Sequence, residues 1–364
     1  MAGLLTVTEP PAPAAATRSR MLFVDALRGV ALILMVINHT SRWWMDVSMG
    51  WGRYYLVYGS VTLPAAIFLF LVGFCLPISF SHLTAAERSA RWPVLRKYVG
   101  RGLVIVLNGL LLNLLVFPED PLWSGGVLQT IGLSIIVLAP ALWLDRSPAA
   151  RYGLLVTAAL FYLSFVWTYA DLGAWLTHHP LVAQIWFLDF APWPWISMAL
   201  IGLVAGWRWL KARVRGEQDE RQYFLIIGLV GLACVVTYFA YDWWLQTSPR
   251  VSFKRDFLLN RHWIPRGATN LWVLGMLGGL LAATYWLMEV KKRRLAWLVV
   301  LGQTALMLYF VHQLIVLTLM NQYLGLRFNH WGLYWLANAV LMVALVYLGQ
   351  AWLEVKRVAR RLRR

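Results

Sequence analysis

The chain has 364 residues, 60% of them hydrophobic and 13% charged, with a mean hydropathy of +0.61; soluble domains carry about a quarter charged residues, so this composition excludes one. The formal charge of +17 would suggest a nucleic-acid ligand if it gathered on one face, while Cys75 and Cys234, the two cysteines, both lie in apolar runs and exclude a disulfide framework. A polytopic membrane protein is what remains.

Residues 1–20 are rich in Ala, Pro and Thr, lack an apolar core of signal-peptide length, and predict a disordered cytoplasmic tail. Apolar stretches long enough to span a bilayer follow at about 22–41, 61–81, 99–117, 124–144, 152–170, 193–210, 222–243, 269–288, 296–319 and 332–353. They predict an all-α polytopic membrane protein of about ten transmembrane helices, with a single transmembrane domain over 21–355 and a basic cytoplasmic tail at 356–364. With the amino terminus inside, cytoplasmic segments hold 24 Lys and Arg and the far side 8, Arg28 being the remaining one of 33. That bias obeys the positive-inside rule and accounts for the charge without nucleic acid. Both termini are then cytoplasmic, and the 22 tryptophans fit interfacial belts.

The first helix carries the most informative polar groups. Asp25 and Arg28 stand three residues apart on one face and can pair. Arg28 and His39 are eleven residues apart, which is about 16 Å of rise and within about 20° of the same face. Ionisable groups inside a bilayer usually face a protein interior or a wet cavity, since each costs about 2.5–3.5 kcal/mol to insert. Asp25 and Arg28 also read as an interfacial structural pair with Arg28 snorkelling, and His39 as a wetted residue near the outer end.

Further along, Asn108, Asn113 and Gln129 lie within spans and read first as interhelical hydrogen-bonding groups. His312 stands about as far up the ninth span as His39 up the first, so the two histidines line one cavity if their helices are neighbours. Two outer links, 172–193 and 244–268, are long; the second holds Arg266 in a stretch dense in Arg, Lys, His and aromatic residues. The sequence contains no HExxH, no clustered His/Asp/Glu, no Gly-x-Ser-x-Gly and no P-loop, so no metal is expected. The chemistry that remains is a histidine acting as general base or transient nucleophile in group transfer to a hydroxyl or amine.

These residues resemble a superfamily of integral-membrane acyltransferases. Asp25-Ala-Leu-Arg28-Gly29, the apolar run to Met35, and Asn38-His39 resemble the first-helix signature of the heparan-α-glucosaminide N-acetyltransferase family and its bacterial relatives. Arg28-x10-His39 is also similar to the arrangement in bacterial surface-glycan acyltransferases. Pro64–Pro77, Gly126-Val127-Leu128-Gln129-Thr130-Ile131-Gly132, Phe190–Gly206 and Leu301–His312 extend the likeness in order and spacing. Thr130 stands where that family's pattern has Arg, and the link Ser41–Ser60 holds no histidine, so His39 on the helix would take that role.

The resemblance implies transfer of an acetyl or similar acyl group from cytoplasmic acetyl-CoA or another acyl-CoA to a sugar hydroxyl or amine of a cell-envelope glycan or glycolipid. It implies a multi-pass protein of the cell inner membrane. His39 would be base or acyl relay, with Arg28 and Asp25 in the catalytic set; Asn38, Gln129, His312 and Arg266 would contact substrate. A proton-coupled transporter or exporter using Asp25, Arg28, His39 and His312 is the alternative, and a noncatalytic partner in envelope assembly a third reading. Homo-oligomerisation is left open.

Overall fold

The computed structural model describes residues 21–59, 62–144, 147–182, 190, 192–246 and 269–362. The expected amino-terminal tail, Arg266 with most of the 244–268 link, and residues 183–189 and 191 of the other outer link lie outside the described residues. The helices are α1 (Leu22–Trp43), α2 (Gly50–Gly59), α3 (Thr62–Ser81), the short α4 (Ala85–Ser89), α5 (Arg91–Val116), α6 (Val127–Leu138) and α7 (Pro148–Thr177). They continue with the single turn α8 (Pro180–Val182), α9 (Pro192–Arg215), α10 (Glu217–Gln246), α11 (Thr269–Tyr285), α12 (Ala296–Gln303), α13 (Ala305–Gln313) and α14 (Trp331–Arg361). The only β pairing among the described residues is an isolated bridge between Met45 and Phe328.

The ten predicted stretches coincide with these helices. Among the described residues nine are long and apolar enough to cross a membrane; the sixth stretch is the 24-residue α9, whose carboxy-terminal end carries Arg208, Lys211, Arg213 and Arg215. The fold is therefore all-α and polytopic. Its ninth span is not one helix. It breaks at Thr304 (φ −111°, ψ 9°), where the Thr304 hydroxyl donates to Val300 O at 2.7 Å and competes with the helical ladder. A π-helical segment, Leu314–Tyr323, then continues α13.

The helices divide by how much they bury. In α1 67% of the apolar window is inside the protein, against 11% in α7, so α1 is the axis and α7 faces lipid. Around α1 pack α3, α11, α12 and α13. Its closest neighbour, α12, approaches through glycine: a Cβ on Gly29 would collide with the Leu298 carbonyl, and one on Gly302 with the Asp25 carbonyl. In a bilayer such close approach supplies the van der Waals contact that drives helix association.

The first half of α1 enters an aromatic cluster in which Phe23 meets Phe74, Trp209, Phe224 and Tyr285 edge-to-face, at centroid distances of 5.2–6.3 Å. Its second half joins a different cluster with Leu112, Leu128, Leu308 and Val316. Asp25 and Arg28 lie in the first of these halves, and Asn38 and His39 toward the end of the second. The carboxy-terminal end is tied down: Trp44 Nε1 donates to Val316 O at 3.0 Å, and Phe328 N–H donates to Trp44 O at 2.6 Å. That anchoring fixes the rotation of α1, and with it where Arg28 and His39 point.

Candidate active site

Two cavities lie along α1, one above the other. The first, about 300 Å³, is lined by Arg28, Cys75, Ser79, Arg101 and Gln303, with apolar walls from α3, α5 and α6. The second, about 360 Å³, is lined by Asn38, His39, Arg42, Trp43, Asn113, Asp120, Gln129 and Gln313 among others. Phe68, Val127, Leu128 and Tyr309 line both. A wall only a few side chains thick thus separates an arginine cavity from a histidine cavity, and eleven residues of one helix connect them.

Arg28 behaves as its spacing predicts. Its Nη1 donates to Asp25 Oδ1 at 3.1 Å, and its Nη2 donates to Cys75 Sγ at 3.2 Å. The Asp25 side chain is 5% exposed and Arg28 31%, so the carboxylate is the buried anchor and the guanidinium keeps a face toward the cavity. An arginine held on one edge by a carboxylate presents its remaining N–H groups in a fixed fork, which suits a carbonyl or phosphate oxygen.

His39 and His312 meet across 273 residues of sequence. His39 Nδ1 lies 2.8 Å from His312 Nε2, with the rings parallel to within 5°. His312 is fully buried, and its Nδ1 lies 2.9 Å from Leu308 O. A carbonyl oxygen only accepts, so His312 Nδ1 carries the proton. With one proton on each ring, His312 Nε2 then has a lone pair and His39 Nδ1–H donates to it. The Gln313 amide lies 3.1 Å from the same Nδ1. Turned with Oε1 toward the ring, it adds a second acceptor and relieves an oxygen otherwise buried without a partner.

The proton order runs from Leu308 O through His312 to His39, and it leaves the His39 Nε2 lone pair free. His39 is 8% exposed and lines the outer cavity. A ring nitrogen in that condition can accept a proton or attack a carbonyl. Trp43 packs on the other side of the imidazole at 5.2 Å between centroids and restricts its tilt.

The remaining predicted positions separate by place. Asn38 lines the outer cavity and donates to Val57 O at 2.6 Å, so it also fixes α2 against α1. Gln129 lines the same cavity and donates to Ser124 O at 3.2 Å. It fits because Gly109 and Gly126 carry no side chain: a Cβ on either would stand 2.6–2.7 Å from Gln129 Oε1. His312 stands behind His39, outside the cavity lining. Thr130, where the resemblance expects Arg, is fully buried and donates to Phe190 O at 2.7 Å.

Asp120, Arg42 and Gln313 were not singled out from the sequence. Asp120 is the one carboxylate among the described residues of the outer cavity, held in a loop that Asn113 braces by donating to Leu122 O and Ser124 O. The cue was present in the run Phe117–Gly126, a short polar link bearing two acids and two adjacent glycines directly before the Gly-Val-Leu-Gln stretch.

No individual curated protein matches the chain. The family model for the catalytic domain of heparan-alpha-glucosaminide N-acetyltransferase matches residues 20–241, from α1 through most of α10, and so includes Arg28, His39 and Gln129 but not His312. With more than half of its length matched, and a membrane-embedded histidine set in a cavity, the chain belongs to the heparan-alpha-glucosaminide N-acetyltransferase catalytic family of membrane acetyltransferases.

Proposed function

We infer that the protein moves an acetyl or similar acyl group from acyl-CoA on the cytoplasmic side to a sugar hydroxyl or amine of an envelope glycan on the other side of the inner membrane. The observation that carries this reading is the hydrogen-bonded order Leu308–His312–His39, which leaves a lone pair on His39 facing the outer cavity, one wall away from the Arg28 cavity. The charge bias along the sequence assigns the Arg28 end to the cytoplasm and the His39 end to the far side.

In this scheme the acyl thioester arm enters the inner cavity. Arg28, steadied by Asp25, and Gln303 hold oxygen atoms along that arm and Arg101 those of the donor's phosphates, while the thioester end crosses the shared wall of Phe68, Val127, Leu128 and Tyr309 to reach His39. The acceptor sugar occupies the outer cavity, where Asp120, Gln129 and Asn38 offer hydrogen bonds and Trp43 an aromatic face. As the acceptor oxygen or nitrogen forms its bond to the carbonyl carbon, His39 Nε2 takes its proton. The carbon–sulfur bond breaks, and the departing thiolate takes the proton that His39 Nε2 received from the acceptor. If His39 attacks first, the acyl group rests on Nε2 before the acceptor takes it; both routes use the same lone pair. Arg266, in the outer link, would meet the acceptor.

The test is transfer of label from radiolabelled acetyl-CoA to an envelope-glycan extract by purified protein in nanodiscs. His39→Ala should fold and lose transfer by at least ~10², the lower range for a general base. Transfer within twofold of wild type by the folded variant would end this reading. Accumulation of a solute without acetyl-CoA consumption would favour the transporter instead.

A further inference from the structure

Four side chains, Phe68, Val127, Leu128 and Tyr309, line both cavities and form the wall between them, and they are not held alike. Phe68 on α3 packs against three separate hydrophobic clusters, which pin its ring from several sides. Val127 and Leu128 open α6, whose first turn Thr130 fastens by donating to Phe190 O at 2.7 Å. Tyr309, on α13, joins one of the three clusters.

The helix that carries Tyr309 leaves the regular ladder at both ends. Before it, α12 ends with Thr304 N–H donating to Val300 O at 3.1 Å, and α13 starts with Leu308 N–H donating to Thr304 O at 2.9 Å. After it the chain runs as π-helix from Leu314 to Tyr323, a geometry that is rare and frequent at functional sites. On the nine residues between these joints, Ala305, Tyr309 and Gln313 stand four apart and share one face. Ala305 lines the inner cavity, Gln313 the outer one, and Tyr309 both. A helical side chain leans over the residue four before it, and there Ala305 presents only a methyl group. The ring therefore has a cavity of about 300 Å³ on one side and one of about 360 Å³ on the other to turn into.

We propose that Tyr309 is the gate between the two cavities, an inference that rests on the acyl-transfer function proposed above. With its ring in the wall, the cavities and the two sides of the membrane stay apart. When the ring turns aside, the thioester end of the donor passes Phe68 and reaches His39. The movement is a side-chain rotation, so His312 and Gln313 on the same helix keep their bonds to His39 while the gate is open.

The experiment reads the passage without donor or acceptor. Cys75 lines the inner cavity, about two turns along α3 from Phe68, and Cys234 on α10 lies outside both linings. The full chain carrying Cys234→Ser, in sealed vesicles of one orientation, is treated on either face with a charged, membrane-impermeant methanethiosulfonate. Cys75 should react from the face of the inner cavity, and at least about tenfold more slowly from the other, because a minor open state holds about a tenth of the population or less. Adding Tyr309→Ala should abolish that difference, and Tyr309→Leu should narrow it. Leu308→Ala, at a fully buried neighbour that lines neither cavity, should leave it unchanged, which separates a gate from a loosened helix. Equal rates from both faces without the Tyr309 change, no reaction from either face, or a difference that survives Tyr309→Ala overturns the gate. If the Ala variant does not fold, the Leu variant decides. Acetyl transfer measured on the same vesicles keeps the two conclusions apart: no transfer, with the difference abolished in Tyr309→Ala, ends the acyl-transfer function and leaves the gate standing.

Discussion

Replacing His312 by Phe tests the histidine pair most directly. The substitution keeps an aromatic ring of similar size in a fully buried position and removes the acceptor of the 2.8 Å bond from His39 Nδ1–H. Gln313, at 3.1 Å, is then the remaining partner of that proton. A buried donor that loses its acceptor is raised by about 1–3 kcal/mol, so the preference for the proton on Nδ1 over Nε2 falls by about that amount. At about 1.4 kcal/mol per decade, the ratio of Nδ1-protonated to Nε2-protonated His39 drops about 5- to 150-fold. The expected result is a kcat lowered by up to that factor, with KM for acetyl-CoA unchanged because His312 lies outside both cavity linings. His312→Gln, whose amide oxygen can accept from His39, should recover part of the loss. Single-turnover transfer from labelled acetyl-CoA measures the chemical step. A folded His312→Phe protein with kcat within twofold of wild type would refute the proton order from Leu308 to His39.

Three other outcomes follow from the same geometry. Arg28→Gln keeps a hydrogen-bonding side chain but loses the charge-assisted fork, so KM for acetyl-CoA should rise about tenfold with a smaller change in kcat, read by initial-rate kinetics. Gly302→Leu forces a side chain against the Asp25 carbonyl and should separate α12 from α1; overpacking of this kind costs about 1–3 kcal/mol, visible as a lowered Tm with acetyl transfer falling in parallel as His312 moves from His39. At the short helix α4, the Glu87 carboxyl accepts from Thr84 N–H at 2.7 Å in a capping box, and the hydrogen bonds with Thr84 hold it below its ordinary value of 4.5. A lowered folded-state value stabilises above the unfolded one and is lost as pH falls through the lowered one. The protection of α4 amides, taken as the exchange rate relative to the intrinsic rate at each pH, should hold above the ordinary carboxyl range and fall as pH drops through the lowered value, and Glu87→Gln should flatten that dependence.

Some of this site was legible in the chain because its physics is local. Helical periodicity alone put Asp25 beside Arg28 and Arg28 on the face of His39, and counting residues from the cytoplasmic side placed His312 at the depth of His39. The Gly-Val-Leu-Gln stretch was recognisable as a motif, but that Gly109 on another helix completes the slot for Gln129 was not. Nor was the break at Thr304, since a single threonine in an apolar run carries no helix-stopping signal. Asp120 escaped because an acid in a short link reads as solvent-facing until the loop is seen folded over a cavity.

The sequence by itself determined the membrane class, the apolar stretches that become its helices, and which polar residues stand on them. These follow from composition and from a helix repeat set by the backbone, which operate over a few turns. The tertiary structure decided that α12 and α13 lie against α1, because the seating of Gly29 on Leu298 and of Gly302 on Asp25 depends on shapes far apart in sequence. Only that packing converts two separate histidines into a hydrogen-bonded pair with an assigned proton, and two apolar stretches into adjacent cavities with a shared wall.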